Sequence, residues 1–127
     1  MGLMDRTNVV DLDHLDAYTG GDPAVRSEIL SIFQHQAEMW VRLLDTQNGD
    51  EGFADGVHTI KGAARGIGAW PLAEVCEGIE RKAAAGDLSL AEKAVGAGQI
   101  REALDQVLSD ISVIEHKSAL QSLRTSS

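Results

Sequence analysis

The sequence predicts an all-α protein, an up-and-down four-helix bundle with a short additional N-terminal helix. Apolar residues recur at spacings of three and four along most of the 127-residue chain, and no stretch shows the alternation of a strand. The breaks that contain glycine or proline are short, so consecutive helices should pack side by side and antiparallel. This length suits one core, and we expect a single domain over residues 1–127.

The short leading helix is predicted from three residues. Leu12, Leu15 and Tyr18 lie at positions i, i+3 and i+6, and Gly20–Gly21 should end the helix. Residues 1–8, which precede it, are expected to be flexible.

The first long helix should begin at Asp22, which can cap it, with Pro23 at the first helical position, where a missing N–H costs nothing. Asn48–Gly49 should end it. Its predicted apolar positions are Val25, Ile29, Ile32, Phe33, Trp40, Leu43 and Leu44.

The apolar residues of this helix spread over about 200°, whereas a surface helix needs a stripe little wider than about 100°. Leu30, Ala37 and Val41 lie at one edge of that arc. Two interpretations remain open. These residues form an exposed docking surface for a partner, or the short leading helix covers them.

The second long helix should run from about residue 50 to residue 68 and carries the most informative motif. At about 100° per residue, its apolar residues share one face, and His58 lies about 120° away from them. Lys61, Gly62 and Arg65 follow His58 at i+3, i+4 and i+7, so the imidazole should face solvent beside two cations. The predicted core stripe consists of Phe53, Val57, Ile60, Ala64 and Ile67.

The last two long helices have clear boundaries. Trp70–Pro71 should open the first of them and Gly86–Asp87 should close it. Ser89 followed by Glu92 at i+3 is a capping box for the final helix, and residues 118–127 are expected to be flexible. The predicted core positions are Leu72, Cys76, Ile79 and Ala83, followed by Leu104, Val107, Leu108, Ile111 and Ile114.

The residues around His58 suit a phosphoryl group. An imidazole titrates near neutral pH, and its unprotonated nitrogen is a nucleophile toward phosphorus. Lys61 and Arg65 can offset the added negative charge through charge-assisted hydrogen bonds. Gly62, one turn beyond His58, leaves room for an incoming partner. As alternatives, the two cations balance nearby acids such as Glu51 and Asp55, and Gly62 serves only helix packing.

Composition argues against several other functions. The formal net charge is -9, with only 11 scattered Lys and Arg residues, which disfavours nucleic-acid binding. The sequence has no phosphate-binding glycine-rich loop, no signal peptide and no membrane-spanning run. We therefore expect a cytoplasmic, monomeric protein with no cofactor and no metal site. The single cysteine, Cys76, should be a core residue. The three other histidines share no metal-ligand spacing and should be ordinary surface or boundary residues; they are His14, His35 and His116.

The run His58-Thr59-Ile60-Lys61-Gly62 resembles the His-x-x-Lys-Gly signature of histidine-containing phosphotransfer domains. The resemblance continues through Gly68 and the segment 72–80. It implies a four-helix bundle that carries a phosphoryl group on His58 Nε2 within a two-component phosphorelay. It also implies that Glu80 lies near the histidine.

The same resemblance implies partners. Receiver domains of response regulators or hybrid histidine kinases should dock around the histidine, largely through apolar packing, and exchange phosphoryl groups between aspartyl phosphate and His58. The chain would then be a covalent carrier and not an enzyme. The alternative is a helical adaptor that binds a signalling partner without being phosphorylated. A hydrolase with His58 as general base is disfavoured, because the motif offers no companion nucleophile.

Overall fold

The computed structural model describes residues 9–45, 49–86 and 88–125, and five helices account for most of them. Each long helix packs against the next along the chain, and the first also packs against the last, so the four close into a ring. The short leading helix packs against the first long one. This arrangement confirms the predicted bundle. The helices are α1 Leu12–Thr19, α2 Pro23–Leu43, α3 Gly49–Gly66, α4 Trp70–Ala84 and α5 Leu90–Thr125.

The helix starts follow the predicted capping chemistry. The Asp22 side chain accepts the N–H of Ala24 at 2.9 Å, with Pro23 at the first helical position. At the start of α5, the Glu92 N–H donates to Ser89 Oγ and the Ser89 N–H donates to Glu92 Oε1, each at 3.1 Å. These reciprocal bonds satisfy donors that a helix start otherwise leaves without partners.

The end of α2 differs from the prediction. The helix ends at Leu43, and Gly49 is the first residue of α3, so Asn48–Gly49 does not end α2. The Leu44 N–H donates to the carbonyl of Val41 at 3.1 Å, which tightens the last turn, and the Leu44 side chain is buried in the core. Asn48 lies outside the described residues.

The C-terminal helix is longer than predicted. α5 continues to Thr125, through most of the 118–127 stretch for which the sequence predicts a flexible end. Good helix formers such as Ala119 and Gln121 occupy this stretch and allow the helix to continue. Residues 1–8, 126 and 127 lie outside the described part of the chain. Within that part, no helix is both long and apolar enough to cross a membrane.

The predicted core stripe around α3 is confirmed: its four residues on the helix are buried, and so is Ile67, which directly follows the helix. In α4, Leu72, Cys76 and Ile79 are buried, whereas Ala83 is only half-buried. In α5 the stripe from Leu104 to Ile114 is buried apart from half-buried Leu108. Burial of these stripes against one another removes most of their apolar surface from water, which is the main force that holds the helices together.

The prediction that Leu30, Ala37 and Val41 form an exposed docking surface on α2 is wrong. Leu30 and Ala37 are buried in the core and Val41 is half-buried, so these side chains present little surface to a partner. Apolar residues surround much of α2, and periodicity alone does not show which arc faces the bundle. Packing in the ring selects Leu30, Phe33, Ala37, Trp40 and Leu44. The large apolar side chains of α2 that stay exposed are Val25, Ile32 and Met39.

A buried carboxylate anchors the leading segment to the bundle. Asp110 on α5 is 5% exposed, and its Oδ2 accepts the backbone N–H groups of Val9 and Val10, each at 2.9 Å. Val10 itself is buried. Because buried N–H groups need acceptors, this contact holds the segment before α1 against α5.

The same segment closes the turn between α3 and α4. The Asp11 N–H donates to the Gly68 carbonyl at 3.0 Å, and Trp70 Nε1 donates to Asp11 Oδ2 at 3.0 Å. Gly68 has a φ of +74°, and a Cβ there would lie 2.9 Å from the Asp11 Cβ. Only glycine fits both the left-handed backbone and the close approach. The ring of His14 packs edge-on against Trp70, at 4.9 Å between centroids.

A second close approach brings α2 against α3. A Cβ on Gly56 would lie 2.8 Å from the Leu43 Cβ and 3.1 Å from the Leu43 carbonyl oxygen. The contact is with backbone and Cβ atoms, which cannot rotate away. The two helices can therefore pack this closely only because Gly56 has no side chain.

Gly56→Ala should destabilise the protein by about 1–3 kcal/mol, because overpacking exceeds the gain in helix propensity. Gly62→Ala is the matched control: a Cβ at Gly62 meets no described residue outside its own helix backbone within 4 Å, so this variant should gain up to about 1 kcal/mol. Urea unfolding of the wild type and both variants measures the change in the free energy of unfolding. Equal effects of the two substitutions would contradict a packing role for Gly56.

Asp110→Ala should lower the free energy of unfolding by about 2–3 kcal/mol, because it leaves the Val9 and Val10 N–H groups without an acceptor. Asp105→Ala on the same helix is the control, since Asp105 is exposed, and it should cost less than about 0.5 kcal/mol. A loss of stability no greater in Asp110→Ala than in the control would show that the anchor contributes nothing.

Candidate functional site

His58 lies on the solvent face of α3, opposite the buried stripe. Its side chain is 71% exposed, whereas Val57 and Ile60 on the same turn are buried. The predicted outward orientation is therefore present. An imidazole that is this exposed can be reached by a group on another protein.

The His58 ring is held by Glu80 on the neighbouring helix α4. His58 Nδ1 lies 2.7 Å from Glu80 Oε2. Partial burial alone would raise the pKa of the Glu80 carboxyl, but hydrogen bonds from Lys61 and His58 outweigh it and hold the pKa below its ordinary value. An ionised carboxylate only accepts hydrogen bonds, so Nδ1 is the donor. The neutral ring then carries its free lone pair on Nε2.

Lys61 pairs with the other oxygen of the same carboxylate. Its Nζ contacts Glu80 Oε1, and the Lys61 side chain is 15% exposed. Glu80 thus bridges two α3 residues that lie one turn apart. Lys61 is thus balanced by a nearby acid, as one of the two interpretations expects, but that acid is Glu80 on α4 and not Glu51 or Asp55.

Arg65 is also paired with α4. Its Nη2 donates to Glu77 Oε1 at 2.8 Å, and the Nη2 of Arg81 donates to Glu77 Oε2 at 3.2 Å. All three side chains are exposed to solvent, by 41% at Glu77 and more at the two arginines. Neither Glu77 nor Arg81 is among the site residues that the sequence predicts. The available signal was the i, i+3 spacing of Glu77 and Glu80, which places two carboxylates on one face of α4.

Gly62 packs against no other helix in the described part of the chain. It is exposed in the middle of α3, and beyond the backbone of its own helix a Cβ at this position would meet no atom of the described residues within 4 Å. A mid-helix glycine weakens a helix by about 1 kcal/mol relative to alanine. The alternative that Gly62 permits close helix packing therefore fails, and open space beside His58 is what the glycine provides.

Cys76 lies in the core beneath this surface. It is fully buried, and burial, with a smaller contribution from the charge of Glu80, raises the pKa of its thiol to about 12. The thiol is therefore protonated and unreactive at neutral pH. It takes no part in the surface site.

The arrangement offers one exposed imidazole whose Nδ1 is hydrogen-bonded to a carboxylate, three nearby cations and a second carboxylate. Within residues 9–45, 49–86 and 88–125, no group of three or more His, Cys, Asp or Glu side chains has the geometry of a metal site. The chemistry that fits these groups is formation of a bond between Nε2 and an electrophile delivered by another molecule.

Comparison with known proteins identifies the family. The model of the Hpt domain matches residues 28–110. The crystal structure of the histidine phosphotransferase ShpA from Caulobacter crescentus has a similar fold, with a TM-score of 0.69 and 42% sequence identity. That similarity covers 91% of this chain and 99% of that chain. No curated protein matches the chain.

The matched region contains the His58 motif, the Glu80 helix and most of the core, and it spans more than half of the chain. Two further observations agree with the family match. They are the bundle predicted from sequence periodicity and the similarity to a solved histidine phosphotransferase. This chain belongs to the Hpt domain family.

Proposed function

We propose that this protein carries a phosphoryl group on His58 between aspartyl phosphates of receiver domains in a two-component phosphorelay. The observation that carries the proposal is the 2.7 Å contact between His58 Nδ1 and the Glu80 carboxylate on an otherwise exposed ring. It prepares Nε2 as a nucleophile on a surface that another protein can reach.

In the transfer step, Nε2 attacks phosphorus in line with the bond to the receiver's aspartate oxygen. The P–N bond forms as the P–O bond breaks, and the aspartate leaves as a carboxylate. The ring keeps its proton on Nδ1 and becomes positively charged, and the Glu80 carboxylate stabilises that charge. The step reverses by the same path when a second receiver presents an unphosphorylated aspartate.

The remaining site residues support this reaction from the protein surface. Lys61 holds Glu80 ionised and lies one turn from His58, where its charge also favours a bound phosphoryl group. Gly62 leaves the approach to His58 open. The acidic residues and Mg²⁺ that assist the transfer belong to the receiver in this proposal, and the chain itself is a covalent carrier without a cofactor. A cytoplasmic location and a monomeric state are part of the same proposal.

The second candidate function is a helical adaptor that binds a partner without phosphorylation. The exposed apolar residues Val25, Ile32 and Met39 on α2 are compatible with binding of either kind. The two candidates differ in chemistry. Only a carrier incubated with a phosphorylated receiver acquires a label that is labile in acid and stable in base.

His58→Gln should abolish acceptance of phosphate and leave the fold intact, because the side chain is exposed and glutamine is a good helix former. Transfer of ³²P from a phosphorylated receiver measures acceptance, and circular dichroism checks the fold. His35→Gln is the control, since His35 is exposed on α2, and it should be labelled normally. Normal labelling of His58→Gln would place the acceptor elsewhere.

Glu80→Gln should slow acceptance about tenfold, because a neutral amide replaces the charged acceptor of the Nδ1 hydrogen bond, a difference of about 1.4 kcal/mol. Glu74→Gln on the same helix removes an exposed carboxylate and should react normally. Single-turnover transfer rates from one phosphorylated receiver measure both.

The difference in stability between the wild type and Glu80→Gln should depend on pH. The lowered pKa of Glu80 contributes stability above the ordinary glutamate range, and this contribution is lost as the pH falls through the lowered pKa. The stability advantage of the wild type over Glu80→Gln should therefore shrink in acid. An advantage that grows as the pH falls, or equal transfer rates for the two glutamate variants, would contradict the role of Glu80.

A further inference from the structure

Arg65 lies on the same face of α3 as His58 and two helical turns beyond it, a rise of about 10 Å. Long side chains on a helix lean toward the N-terminal end, so the Arg65 side chain can extend back over the preceding turn toward His58. In the unmodified protein its guanidinium is instead bonded to Glu77 on α4, at 2.8 Å. Glu77 therefore determines where this cation is held.

The surface between the two residues is open. Gly62 occupies the intervening turn, and apart from its own helix backbone no atom in residues 9–45, 49–86 and 88–125 lies within 4 Å of where its Cβ would be. Lys61, the other residue on that turn, is directed to Glu80. Because Gly62 has no side chain, this position does not block Arg65 from reaching a group attached to His58.

Glu77 has a second cation available. Arg81, one turn along α4, already bonds its other carboxylate oxygen at 3.2 Å. If Arg65 moves away, Glu77 keeps a charged partner. Both ion pairs are at the surface, where such pairs are weak and exchange readily.

We propose that phosphorylation of His58 transfers Arg65 from Glu77 to the phosphoryl group, and that Glu77 is a positioning residue that limits how strongly Arg65 binds it. This inference rests on the phosphoryl-carrier function proposed above. A phosphoryl group brings a charge of about −1.5 to −2 at neutral pH, and an arginine binds it through two parallel hydrogen bonds, so it competes well with a single carboxylate. Arg81 then neutralises Glu77.

The experiment uses the full-length protein phosphorylated with phosphoramidate, which needs no receiver. The ³¹P NMR signal of phosphohistidine is followed through a pH titration, which yields the ionisation constant of the phosphoryl group. Arg65→Ala should decrease that constant about two- to fivefold, because an exposed charge pair that favours the dianion is lost. Glu77→Gln should increase it by a similar factor, since Arg65 is released to the phosphoryl group.

A double variant separates Glu77's effect on Arg65 from a general effect of its charge. In the Arg65→Ala background, Glu77→Gln should have no further effect. Glu74→Gln, which removes a charge from the preceding turn of α4, should leave the constant unchanged. An equal effect of Glu77→Gln with and without Arg65, or wild-type constants in both single variants, overturns the inference. Failure of the wild type to form phosphohistidine would instead overturn the proposed function.

Discussion

The hydrogen bond between His58 Nδ1 and the Glu80 carboxylate is the interaction on which the site depends. It joins α3 to α4, selects the ring nitrogen that carries the lone pair, and places a negative charge where the ring becomes positive in the proposed transfer. Lys61 holds the other oxygen of the same carboxylate and keeps it ionised. The Glu80 side chain thus orients the His58 ring and places a negative charge beside it.

This interaction depends on the register of α3 against α4, and the core determines that register. The apolar stripe of α3 is buried against the stripe of α4, which brings the outward residues of α3 beside Glu77 and Glu80. Gly68 closes the turn between the two helices against the leading segment. Burial therefore holds the helices in place, and the weaker polar contacts at the surface form on a rigid frame.

Sequence periodicity predicts α3 well because its apolar and polar residues separate onto opposite faces. The burial of Val57 and Ile60 and the exposure of His58 follow from that separation. Periodicity fails on α2, where apolar residues cover too wide an arc. Only packing within the ring shows that Leu30 is inside and Ile32 outside.

The family resemblance places Glu80 near His58, but the sequence does not predict which carboxylate pairs with which cation. The sequence shows that Lys61 and Arg65 flank His58, but their partners come from α4. Pairing between two helices depends on their relative register and rotation, which the side-chain pattern of one helix does not specify. The structure shows that Glu77 and Glu80 each hold one of these cations.

The most direct test of the central claim is the tautomer of the His58 ring. Long-range ¹H–¹⁵N correlation NMR of the unphosphorylated protein, at a pH where the ring is neutral, distinguishes the two nitrogens. With Glu80 as acceptor, Nδ1 should show the shift of a protonated nitrogen and Nε2 that of an unprotonated one, and the preference should weaken in Glu80→Gln. A His58 ring protonated on Nε2, or a tautomer unchanged by Glu80→Gln, would contradict the account.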